Sequence, residues 1–295
     1  LVIFWHAAKN TDLTALVGGG SVSAAGWSAL WEYALFIAAL FVTAAAIGRR
    51  SPPPVQVQTP VQKRRLSKRT KAAAALILVG IPAILFVGSY YFDVKNYYLM
   101  ALLVLLACML PFFMVFEGRK PQARELTVIA VLCALGVAGR AAFFMLPQCK
   151  PVLALTILAG AALGGETGFL VGAATMLVSN ILFSQGPWTP WQMLGMGLCG
   201  FLAGLVFHRG RAPRNRGTLC VFGVVSAFAV YGILLNAYSA LLATGALTWQ
   251  SLAVYCASGF AMDAVQAIST VIFLWFFTEP MLDKLERVKI KYGFA

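Results

Sequence analysis

Nine long apolar stretches dominate the pattern, separated by short polar or basic segments. They run over residues 27–47, 72–92, 97–116, 126–146, 151–164, 168–184, 190–207, 217–243 and 250–277. A helix needs about 20 such residues to cross the hydrocarbon core of a bilayer. The pattern therefore predicts an all-α integral membrane protein with nine spans. The stretch 151–164, bounded by Pro147 and Pro151, is the short one. At 1.5 Å per residue it reaches only about 20 Å, so it is expected to be buried among its neighbours or partly re-entrant.

Composition agrees with this class. The chain of 295 residues is 60% hydrophobic and 11% charged, with a mean hydropathy of +0.82. A soluble domain carries about a quarter charged residues. The net charge of +13 resembles a nucleic-acid signal, but its distribution argues otherwise. Segment 48–71 holds eight basic residues, 117–125 three, 208–216 four and the tail from 279 four. Placing these four segments in the cytoplasm satisfies the positive-inside rule with the N-terminus outside and the C-terminus inside. The basic excess is then an orientation signal, and no nucleic-acid partner is expected. Six Cys are scattered at 108, 133, 149, 199, 220 and 256, with no CxxC and no Cys/His pairing, so neither a metal site nor a disulfide framework is expected.

Two unequal parts follow. Residues 1–120 form a three-span extension with a Pro-rich and basic cytoplasmic linker at 48–71, which includes "SPPPVQVQTPVQ". Its Glu32 is expected at the interface, and "YYFDVKNYY" (90–98) is expected to be an outer hairpin. Residues 121–295 form a six-span unit that holds nearly all the unusual residues. No internal repeat is visible, which argues against the inverted-repeat transporter folds.

Ionisable groups inside a membrane are expensive and are functional candidates by default. Arg140 lies about 21 Å along its span from the cytoplasmic end. Asp263 lies near the midplane of the last span, with Gln266 at i+3 on the same face. Asn180 and Asn236 fall in the outer thirds of their spans. The loop "SQGPWTPWQ" (184–192) is expected outside and offers Gln185, Trp188, Trp191 and Gln192. Stiffened by two Pro, such a rim suits capture of a planar or bulky polar molecule; its Trp rings equally suit an aromatic belt. Phe144 and Lys150, at the outer end of their span and just beyond it, complete the candidate binding set. The competing reading of Arg140 and Asp263 is a structural ion pair, which their depth difference of about 10 Å disfavours.

Ala130, Ala134 and Ala138 recur every four residues and form a smooth stripe. Small residues at that spacing let another helix approach closely, inside the bundle or from a partner. Arg140 lies about 200° around from Ala138 and points away from much of it. Catalysis finds no support. There is no HExxH, GxSxG or phosphate loop, His6 and His208 stand apart, and Glu166 in the turn "GGETGF" stands alone. Nothing in the chain hydrolyses ATP, so uphill transport would draw on a partner or an ion gradient.

The stretch "RELTVIAVLCALGVAGRAAFFMLPQCKPVLALTILAGAALGGETGFLVGAATMLVSNILFSQGPWTPWQM", continuing to the tail "KLERVKIKYGF", resembles the substrate-binding S component of energy-coupling factor (ECF) vitamin transporters. The resemblance covers about 121–295. It implies a six-span bundle with both ends cytoplasmic, in the plasma membrane, that binds a vitamin or precursor without chemistry or cofactor. It implies that Ala130, Ala134 and Ala138 dock a transmembrane coupling subunit, itself joined to two ATPases, and that "SQGPWTPWQ" forms part of a lid. The loop is most similar to members assigned to cobalamin or related corrinoids, and the resemblance leaves riboflavin, thiamin, folate and queuosine precursors open as well. The three additional N-terminal spans depart from the family form. The alternative is an autonomous ion-coupled transporter that uses Asp263 as its cation or proton site.

Overall fold

The computed structural model describes residues 123–245 and 247–292, together with positions 35, 38, 39, 42, 72, 75–84, 87 and 103. The linker 48–71, Glu32, the 90–98 hairpin and most of the first three expected spans lie outside the described residues. Beyond a short π segment at Leu76–Gly80, whose Ile77 joins the core, six helices make up the described bundle: α1 (Ala123–Ala142), α2 (Val152–Leu163), α3 (Gly165–Phe183), α4 (Thr189–His208), α5 (Arg216–Thr244) and α6 (Trp249–Tyr292). Five of them are long and apolar enough to cross a membrane, and α2 is the short apolar exception. These helices correspond to the last six of the nine expected spans. No strand occurs among the described residues.

The breaks follow local chemistry. α1 ends before a turn that carries Pro147 and leads to Pro151, the N-cap of α2. Between α2 and α3 stands Gly164 with φ of 111°, a backbone region that a side chain would strain. Pro190 falls in the first turn of α4, where its missing N–H costs nothing. Asn215 caps α5, its side chain accepting from the Thr218 N–H at 2.8 Å. Gly245, left-handed at φ of 69°, ends α5. Two π segments interrupt the α geometry, at Gly204–His208 in α4 and Ser226–Gly232 in α5.

α2 is too short to span the hydrocarbon core, and it does not face lipid. Eleven of its 12 residues are buried, Thr156 among them. Glycine makes that burial close. A Cβ on Gly168 would lie 2.6 Å from the Gly160 Cα and 2.7 Å from the Gly200 carbonyl. One on Gly172 would meet the Met196 carbonyl at 2.7 Å, and one on Gly204 would strike the Gly165 backbone. Helices α2, α3 and α4 thus touch backbone to backbone, the small-residue packing that substitutes for a hydrophobic driving force in lipid. Around them α1 and α6 lie more openly. Only 17% of the α1 span is buried, against 72% of the α4 span.

α6 is 44 residues long, about 66 Å of helix, roughly twice a hydrocarbon core. Its distal part, from Glu279 onward, clips the polar segment between α4 and α5 and the end of α2. Arg214 bonds Glu286 at 3.0 Å, Arg216 pairs with Glu279, and the Lys289 ammonium donates to the Ala162 carbonyl at 2.9 Å. In that segment, burial pushes the Arg209 guanidinium below its usual range, opposed by the neighbouring Glu166 carboxylate.

Candidate functional site

The polar residues gather at the opposite end of the bundle, where α3 turns into α4. Arg140, in the last turn of α1, reaches across to α3. Its Nη1 donates to Ser179 Oγ at 2.7 Å and to Asn180 Oδ1 at 2.5 Å, and it lies 3.5 Å from Met176 Sδ. Asn180 is fully buried, and its Nδ2 donates to Thr189 Oγ1 at 2.9 Å and Gln192 Oε1 at 2.8 Å. One amide therefore joins α1, α3 and α4. Its two donors and its acceptor are all engaged, which leaves Asn180 as a positioning group rather than a ligand contact. Thr189 Oγ1 also accepts from the Gly186 N–H at 3.4 Å, which ties the 184–188 loop to the same point.

The network leaves specific atoms unshared. Arg140 spends only Nη1 on the protein, so Nε and Nη2 remain. Gln192 spends only its Oε1, so its Nε2 remains. Two buried oxygens near this end, Gln185 Oε1 and Tyr238 Oη, have no protein partner. Buried polar atoms are rarely left so, and a bound molecule or ordered water is the usual partner.

A second polar pair bridges α5 and α6. Asn236 Nδ2 donates to Asp263 Oδ2 at 3.0 Å. The helices come close there because two glycines allow it. A Cβ on Gly232 would lie 2.7 Å from Asp263 Oδ2, and one on Gly259 would lie 2.5 Å from Asn236 Oδ1. Gln266, one turn beyond Asp263, is 6% exposed. Tyr231 is buried on α5 and packs its ring against Gly195 of α4. It lies in the π segment of α5, the kind of irregular turn that often marks a functional site.

The aromatic residues divide. Trp191 belongs to the first turn of α4 rather than to an outer rim; it is 2% exposed and packs on Tyr238 with ring centroids 5.6 Å apart. Trp188 is 38% exposed and folds its ring over Gly186. Phe144 is also on the surface, 5.4 Å from Phe183. The backbone of Lys150 comes close to that of Arg140, since Gly139 packs directly against Pro151. Burial pushes the Lys150 ammonium below its usual range, and the Arg140 charge adds to the shift.

The structure thus joins Arg140, Asn180 and Gln192 through hydrogen bonds, and Asn236 with Asp263. Arg140 and Asp263 form no ion pair; the guanidinium is satisfied by neutral oxygens of α3. Sequence reasoning passed over Ser179, Thr189, Tyr231 and Tyr238. Ser179 and Thr189 had a signal, since each is a polar residue within three positions of a candidate already singled out. Tyr231 and Tyr238 had none, because aromatic residues are ordinary in an apolar span. The stripe of Ala130, Ala134 and Ala138 lies on the exposed side of α1. The opposite side is the packed one, with Gly136 against Thr175 and Gly139 against Pro151.

The described residues thus form a helical bundle, with five helices long and apolar enough to cross a membrane, that carries a polar network at one end. A family model for the ECF-type riboflavin transporter S component matches residues 120–281, more than half of the chain. The protein belongs to that family. No curated protein and no solved structure matches.

Proposed function

We propose that this protein captures a vitamin from outside the cell as the specificity subunit of an ATP-driven ECF complex. The observation that carries the reading is the saturated Asn180 amide. It fixes Arg140 and Gln192 from two different helices and leaves their remaining donors unshared, a preorganised recognition site rather than a catalytic one. The exposed Ala130, Ala134 and Ala138 face supports docking of a transmembrane coupling subunit, which would carry the two ATPases. For the substrate, the family description names riboflavin. A flat heterocycle with amide-like edges suits neutral donors and acceptors such as Gln192 and Gln185. A corrinoid is the second reading, favoured by Trp188 and Phe144, which leave aromatic cover at the rim for a ligand too large to be enclosed.

The test is titration of the detergent-purified full chain with riboflavin and with cobalamin, followed by quenching of tryptophan fluorescence. Saturable riboflavin binding that Asn180→Leu weakens by about tenfold to a hundredfold is the expected result. Binding of cobalamin alone would favour the corrinoid. Uptake that persists in cells without any ATPase partner would instead favour an ion-coupled carrier using Asp263.

A further inference from the structure

Two cations, Arg140 and Lys150, lie at the loop end of the bundle, and among the described residues neither pairs with an acid. Arg140 bonds only to Met176, Ser179 and Asn180. The titratable group acting on it is Tyr231. Among the described residues, Lys150 likewise forms no hydrogen bond or ion pair with a carboxylate. The backbones that carry the two cations come close, because Gly139 abuts Pro151 and these residues are the chain neighbours of Arg140 and Lys150. Asp263, on α6, already accepts from Asn236.

Two like charges in a partly buried setting repel each other and lose hydration, a cost that no acid among the described residues offsets. The unshared atoms have a definite shape. Nε and Nη2 form the side-on edge of a guanidinium, the edge that takes two oxygens of a carboxylate or phosphate in parallel. Nη1, the nitrogen outside that edge, is the one tied to α3. The protein therefore grips Arg140 by its far nitrogen and presents the bidentate edge.

We propose that the ligand of this site carries an anionic group, a phosphate or a carboxylate, held between the Lys150 ammonium and the Nε/Nη2 edge of Arg140. The proposal rests on the capture reading above and specifies its substrate class. Vitamins that are neutral throughout would leave both cations unmatched. Their anionic derivatives would match them and place the rest of the molecule toward Gln192 and Tyr231.

Two matched pairs of probes test this with the full chain in neutral detergent: riboflavin against riboflavin 5′-phosphate, and pantothenol against pantothenate. The anionic member of one pair should bind about tenfold to a hundredfold more tightly than its neutral partner. The pair that responds distinguishes phosphate from carboxylate. Lys150→Met should reduce that preference at least severalfold, and Lys150→Arg should restore it. Riboflavin binding as tightly as its phosphate, with no preference in the second pair, overturns the proposal and leaves vitamin capture standing. No binding by any of the four overturns the proposal and the flavin reading together. A preference that Lys150→Met leaves unchanged overturns the assignment to these two cations.

Discussion

Helices α4 and α1 have similar lengths and hydropathies, yet they use their surfaces in opposite ways. α4 is locked into α2 and α3 through Gly160, Gly168, Gly172, Gly200 and Gly204, and 72% of its span is buried. α1 uses small residues on the other side: Ala130, Ala134 and Ala138 are exposed, and 17% of its span is buried. A small residue allows close approach in both places. In the interior the approaching helix is already present. On α1 the smooth face is open. Small-residue spacing therefore signals contact but not which partner makes it, and only burial separates a weld from an open face.

The largest expected effect lies in the weld. Gly200→Leu places a branched side chain where the Gly168 carbonyl and the Thr156 methyl already stand. Backbone cannot yield as a flexible side chain can. The substitution should cost about 4 kcal/mol or more, the range reserved for severe core disruption. Loss of the monodisperse peak in size-exclusion chromatography, or a large drop in apparent Tm, checks it. A well-folded Gly200→Leu protein would break the contrast.

The next effect is on function without stability. Ala134→Trp on the open face should leave riboflavin affinity and Tm within error, yet bring cellular uptake to background if a coupling subunit docks there. Loss of ligand binding in this variant would mean that the face packs within the protein. The smallest effect is expected at the far end of the bundle. Glu286→Gln removes the Arg214 pair, which is partly exposed on both sides. Such pairs contribute about 0–1 kcal/mol, so Tm should shift by little and ligand affinity should not change.

The polar residues of the candidate site were partly legible before the structure. Arg140, Asn180, Gln192, Asn236, Asp263 and Gln266 stood out because polar groups in apolar spans are costly and therefore conspicuous. Their grouping was not legible. Arg140 and Asp263 invited pairing by charge alone, whereas the guanidinium is satisfied by Ser179 and Asn180 on α3. Trp191 looked like a rim residue beside Trp188. It is buried because α4 begins at Thr189, which turns Trp191 inward onto Tyr238 while Trp188 stays outside the first turn.

By itself the sequence determined the membrane class, the six helices of the described bundle and most of their ends. Those follow from local properties: apolar run length, the fixed φ of proline, the left-handed freedom of glycine and the capping amide of Asn215. Tertiary structure alone decided which faces meet. Helix rotation and crossing set which side chains come within 3 Å, and these depend on contacts between residues tens of positions apart. Asn180 illustrates it: its type announces a costly buried amide, but its saturation by α1 and α4 exists only once three helices have packed.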